Sequence, residues 1–174
     1  MRKTMRDRGL FWSPAPDWTT ARIDGDAYSV RRVLGLGQAL VSGDLDAALA
    51  ELMPAAPEIS LWSVAAAEPF AVRIGRDRTL LVSPGPLAAA PGWRNGYVAT
   101  PCDDAYAILE ISGVALREIV AEGTSVDINA GSRSAAVLFA GVTVLLYRIG
   151  PETARLHVEA PLAAYLWAWL EGRS

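Results

Sequence analysis

One histidine, His157, and one cysteine, Cys102, are the residues whose types best suit proton transfer, nucleophilic attack or metal binding. A zinc site built on them would have to draw its remaining ligands from carboxylates. His157 lies inside an apolar strand pattern, where a hydrogen-bonded structural histidine is expected rather than a catalytic base. Cys102 precedes Asp103 and Asp104, whose negative charges disfavour the thiolate that a nucleophile needs, so it reads as structural. Asp103 and Asp104 are not a convincing acid–base pair. Adjacent strand residues face opposite sides, and a solvated pair in a loop is the simpler expectation.

Nucleotide chemistry is no better supported. There is no Gly-x-Gly-x-x-Gly after a strand and no Walker-type loop, and Gly35-Leu36-Gly37 is a turn signal. The net charge is −3 and no Lys or Arg run is long enough to track a phosphate backbone, which argues against a nucleic-acid partner. A lone cysteine cannot make an internal disulfide, so an oxidising compartment is not indicated and a cytoplasmic setting is expected. Arg2, Lys3, Arg6 and Arg8 are not followed by an apolar stretch of signal-peptide length before Pro14, Pro16 and Asp17. The longest apolar run, 135–147, is broken by Gly141 and Thr143 and reads as two strands around a turn, not a membrane span. With 52% hydrophobic and 20% charged residues, the composition is that of a chain that folds.

The elements that would carry these residues come in two similar sets. Leu40-Val41-Ser42-Gly43 and Glu110-Ile111-Ser112-Gly113 each lead into an apolar helix pattern, 70 residues apart. Arg73-Ile74-Gly75 with Pro86-Leu87-Ala88-Ala89, and Arg148-Ile149-Gly150 with Pro161-Leu162-Ala163-Ala164, repeat at an offset of 75. Each half therefore reads as strand, helix, two or three strands, helix. Residues 1–34 form an N-terminal arm and first strand, 35–100 the first half and 101–174 the second, packed as one domain.

Strands are expected at 38–42, 105–111, 134–139, 142–148 and 155–159. A helix is expected at 44–53, stopped by Pro54 and Pro57. In the second half, Ser112 is the expected N-cap, Leu116, Ile119 and Val120 the buried stripe, and Gly123 a left-handed C-cap. The last helix starts at Pro161 and presents Leu162, Tyr165, Leu166 and Trp169 to the core.

Several of these blocks, taken in order, resemble the sarcosine oxidase gamma subunit family. They are Leu40-Val41-Ser42-Gly43-Asp44, Arg76-Asp77-Arg78-Thr79-Leu80-Leu81-Val82, Leu109-Glu110-Ile111-Ser112-Gly113, Glu122-Gly123-Thr124-Ser125-Val126-Asp127-Ile128, Val144-Leu145-Leu146-Tyr147-Arg148 and, most specific, Ala164-Tyr165-Leu166-Trp167-Ala168-Trp169-Leu170. The resemblance implies an α+β fold of two tandem βαββ-type halves, like that of folate-binding aminomethyltransferases. It implies a non-catalytic small subunit beside larger alpha and beta flavoenzyme chains. The complex would demethylate sarcosine or a related secondary amine oxidatively, with FAD, FMN, NAD and tetrahydrofolate held by the partners and none by this chain alone. A stand-alone folate or small-ligand binding protein using the groove between the halves is the alternative, and an enzyme with an unrecognised site is a third.

A folate-binding aminomethyltransferase would be expected to carry a pterin-holding carboxylate after the strand arginine. Here Arg148 is followed by Ile149-Gly150-Pro151-Glu152-Thr153, and Glu152, beside a proline in a turn, reads as a solvated surface charge. What remains is surface for a partner. Trp167 falls off the expected core stripe of the last helix, and Trp12 and Trp18 belong to an arm without helix or strand period. These three tryptophans are the candidate interface anchors.

Overall fold

The computed structural model describes residues 15–90 and 92–173. Alternating strand patterns and short helical stripes give β1 (Arg22–Asp24), β2 (Ser29–Val33), β3 (Gly37–Gly43), α1 (Leu45–Leu52), β4 (Glu58–Ile59), β5 (Phe70–Gly75), β6 (Arg78–Ser83) and β7 (Tyr97–Pro101). They continue with β8 (Tyr106–Ser112), α2 (Leu116–Gly123), β9 (Ala136–Phe139), β10 (Val142–Gly150), β11 (Thr153–Glu159), a 3-10 turn (Ala160–Leu162) and α3 (Ala163–Glu171). The chain is thus mixed α+β and mostly sheet. One sheet has the order β1-β2-β8-β11-β10-β9, the other β4-β5-β6-β3-β7.

The burial pattern stacks these elements in four layers. Leu109, Ile111, Leu146, Leu156 and Val158 of the six-stranded sheet pack with Leu116 and Ile119 of α2 and Leu166 and Leu170 of α3. Ala39, Val41 and Leu81 of the five-stranded sheet pack with Leu45 and Ala48 of α1. The opposite faces of the two sheets meet through Phe70, Val72, Leu80 and Val82 on one side and Leu145 and Tyr147 on the other. Period-two alternation makes this possible, because central strands such as β6 and β8 carry buried residues on both faces.

Main-chain bonds stitch the sheets together as well. The segment Trp62–Ala65 runs along β10 beyond the end of β9: Trp62 N–H donates to Leu146 O (3.3 Å), Arg148 N–H to Ser63 O (2.8 Å) and Ala65 N–H to Arg148 O (2.8 Å). Ala135 N–H, just before β9, donates to Arg73 O of β5 at 2.7 Å. Both central hairpins carry a bulge at an Arg-Ile-Gly segment, Arg73/Gly75 in one and Arg148/Gly150 in the other.

The expected strands and the helix after β3 are present, with Asp44 as N-cap accepting Ala47 N–H at 3.0 Å. Four local expectations are corrected. Ser112 closes β8, and the residue before α2 is Ala115, with no side-chain cap. Gly123 ends α2 without a left-handed φ; its missing Cβ makes room for Phe139, whose ring carbon would lie 2.3 Å from it. Pro86-Leu87-Ala88-Ala89 is not helical. Pro84 and Pro86 restrict the backbone and Pro91 follows closely, so too few residues lie between them to repay helix nucleation. Finally, α3 buries Ala163, Leu166, Trp167 and Leu170, while Tyr165 is half exposed. A helix that is apolar nearly all round does not announce its inner face.

Candidate functional site

The space between the sheets holds a buried polar network supplied by strands of both. Alternation along β8 turns Tyr106, Ile108 and Glu110 inward, and β11 does the same for Arg155 and His157. Glu110 Oε2 accepts from Arg155 Nε at 3.0 Å, and its Oε1 accepts from Arg31 Nε at 2.9 Å. Arg155 also pairs with Glu68, in the loop before β5. Burial, the largest single influence, raises the Glu68 pKa, but the hydrogen bond from Arg155, a backbone hydrogen bond and the Arg155 charge together outweigh it and the net shift is downward.

His157 is fully buried and uses both ring nitrogens. Nδ1 lies 2.8 Å from Gln38 Oε1 and Nε2 lies 2.8 Å from the Tyr147 hydroxyl. The Gln38 amide nitrogen donates to the carbonyls of Asp103 and Tyr106, so its oxygen is the acceptor facing His157. Nδ1 therefore carries the imidazole proton and Nε2 accepts from Tyr147. This is the hydrogen-bonded structural histidine expected from the strand pattern. Burial, and then the Arg155 charge, depress its pKa from 6.5 to about 3.

That depression has a sign that can be measured. The unfolded chain takes up a proton near pH 6.5 while the folded chain does not until about 3, so the stabilisation is full above 6.5 and lost as pH falls toward 3. Between pH 6 and 5, ahead of most carboxylate titration, stability should fall by about 1 kcal/mol per pH unit. His157→Gln should flatten that slope in urea titrations at fixed pH. An unchanged slope would mean another group carries it.

Chemically, the network is a clamp between the sheets. Arg155 and Glu110 answer each other, and His157 is committed at both nitrogens. Beside it, Leu40, Tyr106, Leu145 and His157 line a cavity of about 190 Å³ with Arg78 and Glu159 at its edge. That is below the roughly 300 Å³ at which small-molecule pockets usually begin.

Glu152 is exposed in the β10–β11 turn, where its carbonyl accepts Gly113 N–H at 2.9 Å. Burial, with Asp103 as a smaller cause, raises the Cys102 pKa. Asp103 and Asp104 are exposed in the β7–β8 loop, and Asp103 Oδ1 accepts Gln38 N–H. Among the described residues, no group of three or more His, Cys, Asp or Glu is placed to hold a metal ion.

Of the three candidate tryptophans, Trp12 lies outside the described residues. Trp167 is only 5% exposed, and its ring meets Trp18 edge-on at 5.6 Å. In this chain its surface is taken up by the outer core. Trp18 is partly buried and carries the Arg32 guanidinium over its ring, 5.4 Å from the centroid. The large apolar side chains that do reach solvent are others, among them Trp93 (71% exposed) and Leu138 on edge strand β9. Sequence inspection passed over Trp93 because it sits in a Pro/Gly-rich loop with no period to mark it. It also passed over Glu68, Glu110 and Arg155; a charge inside an otherwise apolar strand was the available signal for the last two.

A family model described as the sarcosine oxidase, gamma subunit family, matches residues 25–174. No curated protein matches the sequence significantly. The fold is similar to a chain of a solved structure described as heterotetrameric sarcosine oxidase from Corynebacterium sp. U-96 in complex with pyrrole 2-carboxylate. The TM-score is 0.69 at 17% identity, over 87% of this chain and 86% of that one.

Proposed function

Because the chain belongs to the sarcosine oxidase gamma subunit family, we propose that it is the non-catalytic small subunit of a heterotetrameric sarcosine-oxidase-type complex. The complex would oxidatively demethylate sarcosine or a related secondary amine, an oxidoreductase acting on CH–NH donors. In this reading the larger alpha and beta chains carry FAD, FMN, NAD and tetrahydrofolate, and the assembly works in the cytoplasm. The observation that carries the proposal is the family match across nearly the whole chain. The geometry agrees: the charged and polar groups of the inter-sheet network bind one another, and exposed apolar residues such as Trp93 and Leu138 suit burial against other chains. No helix among the described residues is long and apolar enough to cross a membrane.

The paired bulges, and the two central strands that each lead through a positive-φ glycine toward a helix, support a fold of two tandem related halves resembling folate-binding aminomethyltransferases. The reading as a stand-alone folate binder is disfavoured by the size of the two cavities lined by residues of both sheets, about 190 and 280 Å³, which are small for a pterin with its tail.

The test is affinity purification of the tagged chain from its native host, with mass spectrometry of partners and an absorbance scan. Large flavin-bearing chains near equal stoichiometry are expected; recovery of the chain alone and colourless would overturn the proposal. Trp93 gives a sharper measurement. Exposed tryptophans that become interface anchors contribute about 2 kcal/mol or more, so Trp93→Ala should weaken the complex by about thirty-fold. Thermal unfolding of the isolated chain should change little, because the ring is mostly in solvent.

A further inference from the structure

A cation with no ion-pair partner among the described residues stands on the outer face of the six-stranded sheet. Alternation along β2 sends Arg31 inward to Glu110 and Arg32 outward, opposite Leu109 of β8, whose side chain belongs to the outer core. Arg32 is partly buried, and its Nε is shut off from solvent with no hydrogen-bond partner among the described residues. Other partly buried or buried arginines are answered: Arg155 by Glu68 and Glu110, Arg73 by Glu58, and Arg148 by the Trp62 carbonyl.

Arg32 is nevertheless held in place. Its guanidinium lies over Trp18, which is braced by Trp167. The carboxylate next to Trp18 is not free to answer it, since Asp17 accepts from Thr19 N–H, Thr19 Oγ1 and Thr20 Oγ1 in its own turn. Two residues beyond Arg32, Leu34 is 55% exposed and adds an apolar rim.

We propose that Arg32, stacked on Trp18 and flanked by Leu34, is the docking point for an Asp or Glu side chain on an apolar segment of a partner subunit. The inference rests on the subunit reading and adds to it the site and chemistry of one contact. An orphaned, partly desolvated guanidinium offers a planar fork that a carboxylate fills with two charge-assisted hydrogen bonds. Burying the pair against Leu34 gives the outer N–H groups of the guanidinium charge-assisted partners and covers apolar surface in one step. Lysine, a point charge, would reproduce only part of this.

The experiment uses the whole complex, co-expressed with its native partner chains. Arg32→Gln should weaken association by about thirty-fold or more and flatten its dependence on sodium chloride concentration, with Arg32→Lys intermediate. The melting temperature of the isolated chain should hold or rise, because an unmatched cation has been removed. Arg32→Glu should assemble poorly and recover when one acidic residue of a partner chain is changed to Lys. Tight assembly of Arg32→Gln with unchanged salt dependence would overturn the docking point while leaving the subunit reading intact. So would rescue only by amidating a partner's C-terminus, or an equal response of Trp18 fluorescence to free acetate. If the unaltered chain recovers no flavin-bearing partner, the subunit reading itself fails.

Discussion

Replacing Glu110 with alanine should cost the isolated chain about 3–5 kcal/mol, because it strands the Arg155 charge between two sheets. Glu110 is 4% exposed and the Arg155 side chain 11%, so little water is available to take over the lost partner. Glu68 would remain on Arg155, but its own side chain is about a fifth exposed and lies in a loop, a weaker answer than the bond it would have to replace. Arg31 matters less, since its side chain is largely in solvent and can be hydrated when Glu110 is gone.

The comparison that isolates the charge effect is the double variant Glu110→Leu/Arg155→Met. Removing both buried charges and keeping volume should recover most of the loss, because desolvation offsets much of what the pair contributes. Urea denaturation of the three proteins decides it. A loss below about 1 kcal/mol for Glu110→Ala would show that the inter-sheet space is wetter than the packing indicates.

The second large effect lies at the contact between α2 and β9. Phe139 is fully buried, sits edge-on to Trp169 at 5.2 Å and presses against Gly123. Phe139→Ala should therefore cost about 3–5 kcal/mol, the range for deleting a buried aromatic side chain. Gly123→Ala is more instructive because two effects oppose. Helix propensity favours alanine by roughly 1 kcal/mol, whereas a methyl group 2.3 Å from the Phe139 ring forces the core to move, at about 1–3 kcal/mol or more. Packing is expected to win. Phe139→Leu placed in the Gly123→Ala background should restore part of the loss, whereas the same change alone should only destabilise. Stabilisation by Gly123→Ala would mean the ring yields without cost.

These two sites also show where sequence reading stopped. Gly123 at the end of a helical stripe carries the signature of a C-cap, and only the packing shows that the glycine answers a ring 16 positions on. The strand alternation put Glu110 on the face of Tyr106 and Ile108, yet its partners Arg155 and Arg31 are 45 and 79 residues away. No local pattern pairs them. His157 was legible as a structural group because an apolar strand leaves an imidazole little else to be. Its partners, Gln38 and Tyr147, come from different sheets.

The last helix failed in a different way. Ala163 to Leu170 is apolar on almost every face, so periodicity permits more than one inner stripe. Contact with Trp18 and the outer sheet selects the one containing Trp167, the residue that spacing alone had turned outward.

By itself, the amino-acid sequence determined the α+β class, the order of most strands and helices, and the family, because these follow from short-range periodicity, turn residues and a consistent order of local blocks. The tertiary structure alone decided which charges are answered, which helix face is inside and which arginine has no ion-pair partner among the described residues. Those outcomes depend on strands brought together from distant parts of the chain, where burial turns a hydrated charge into one that must find a partner.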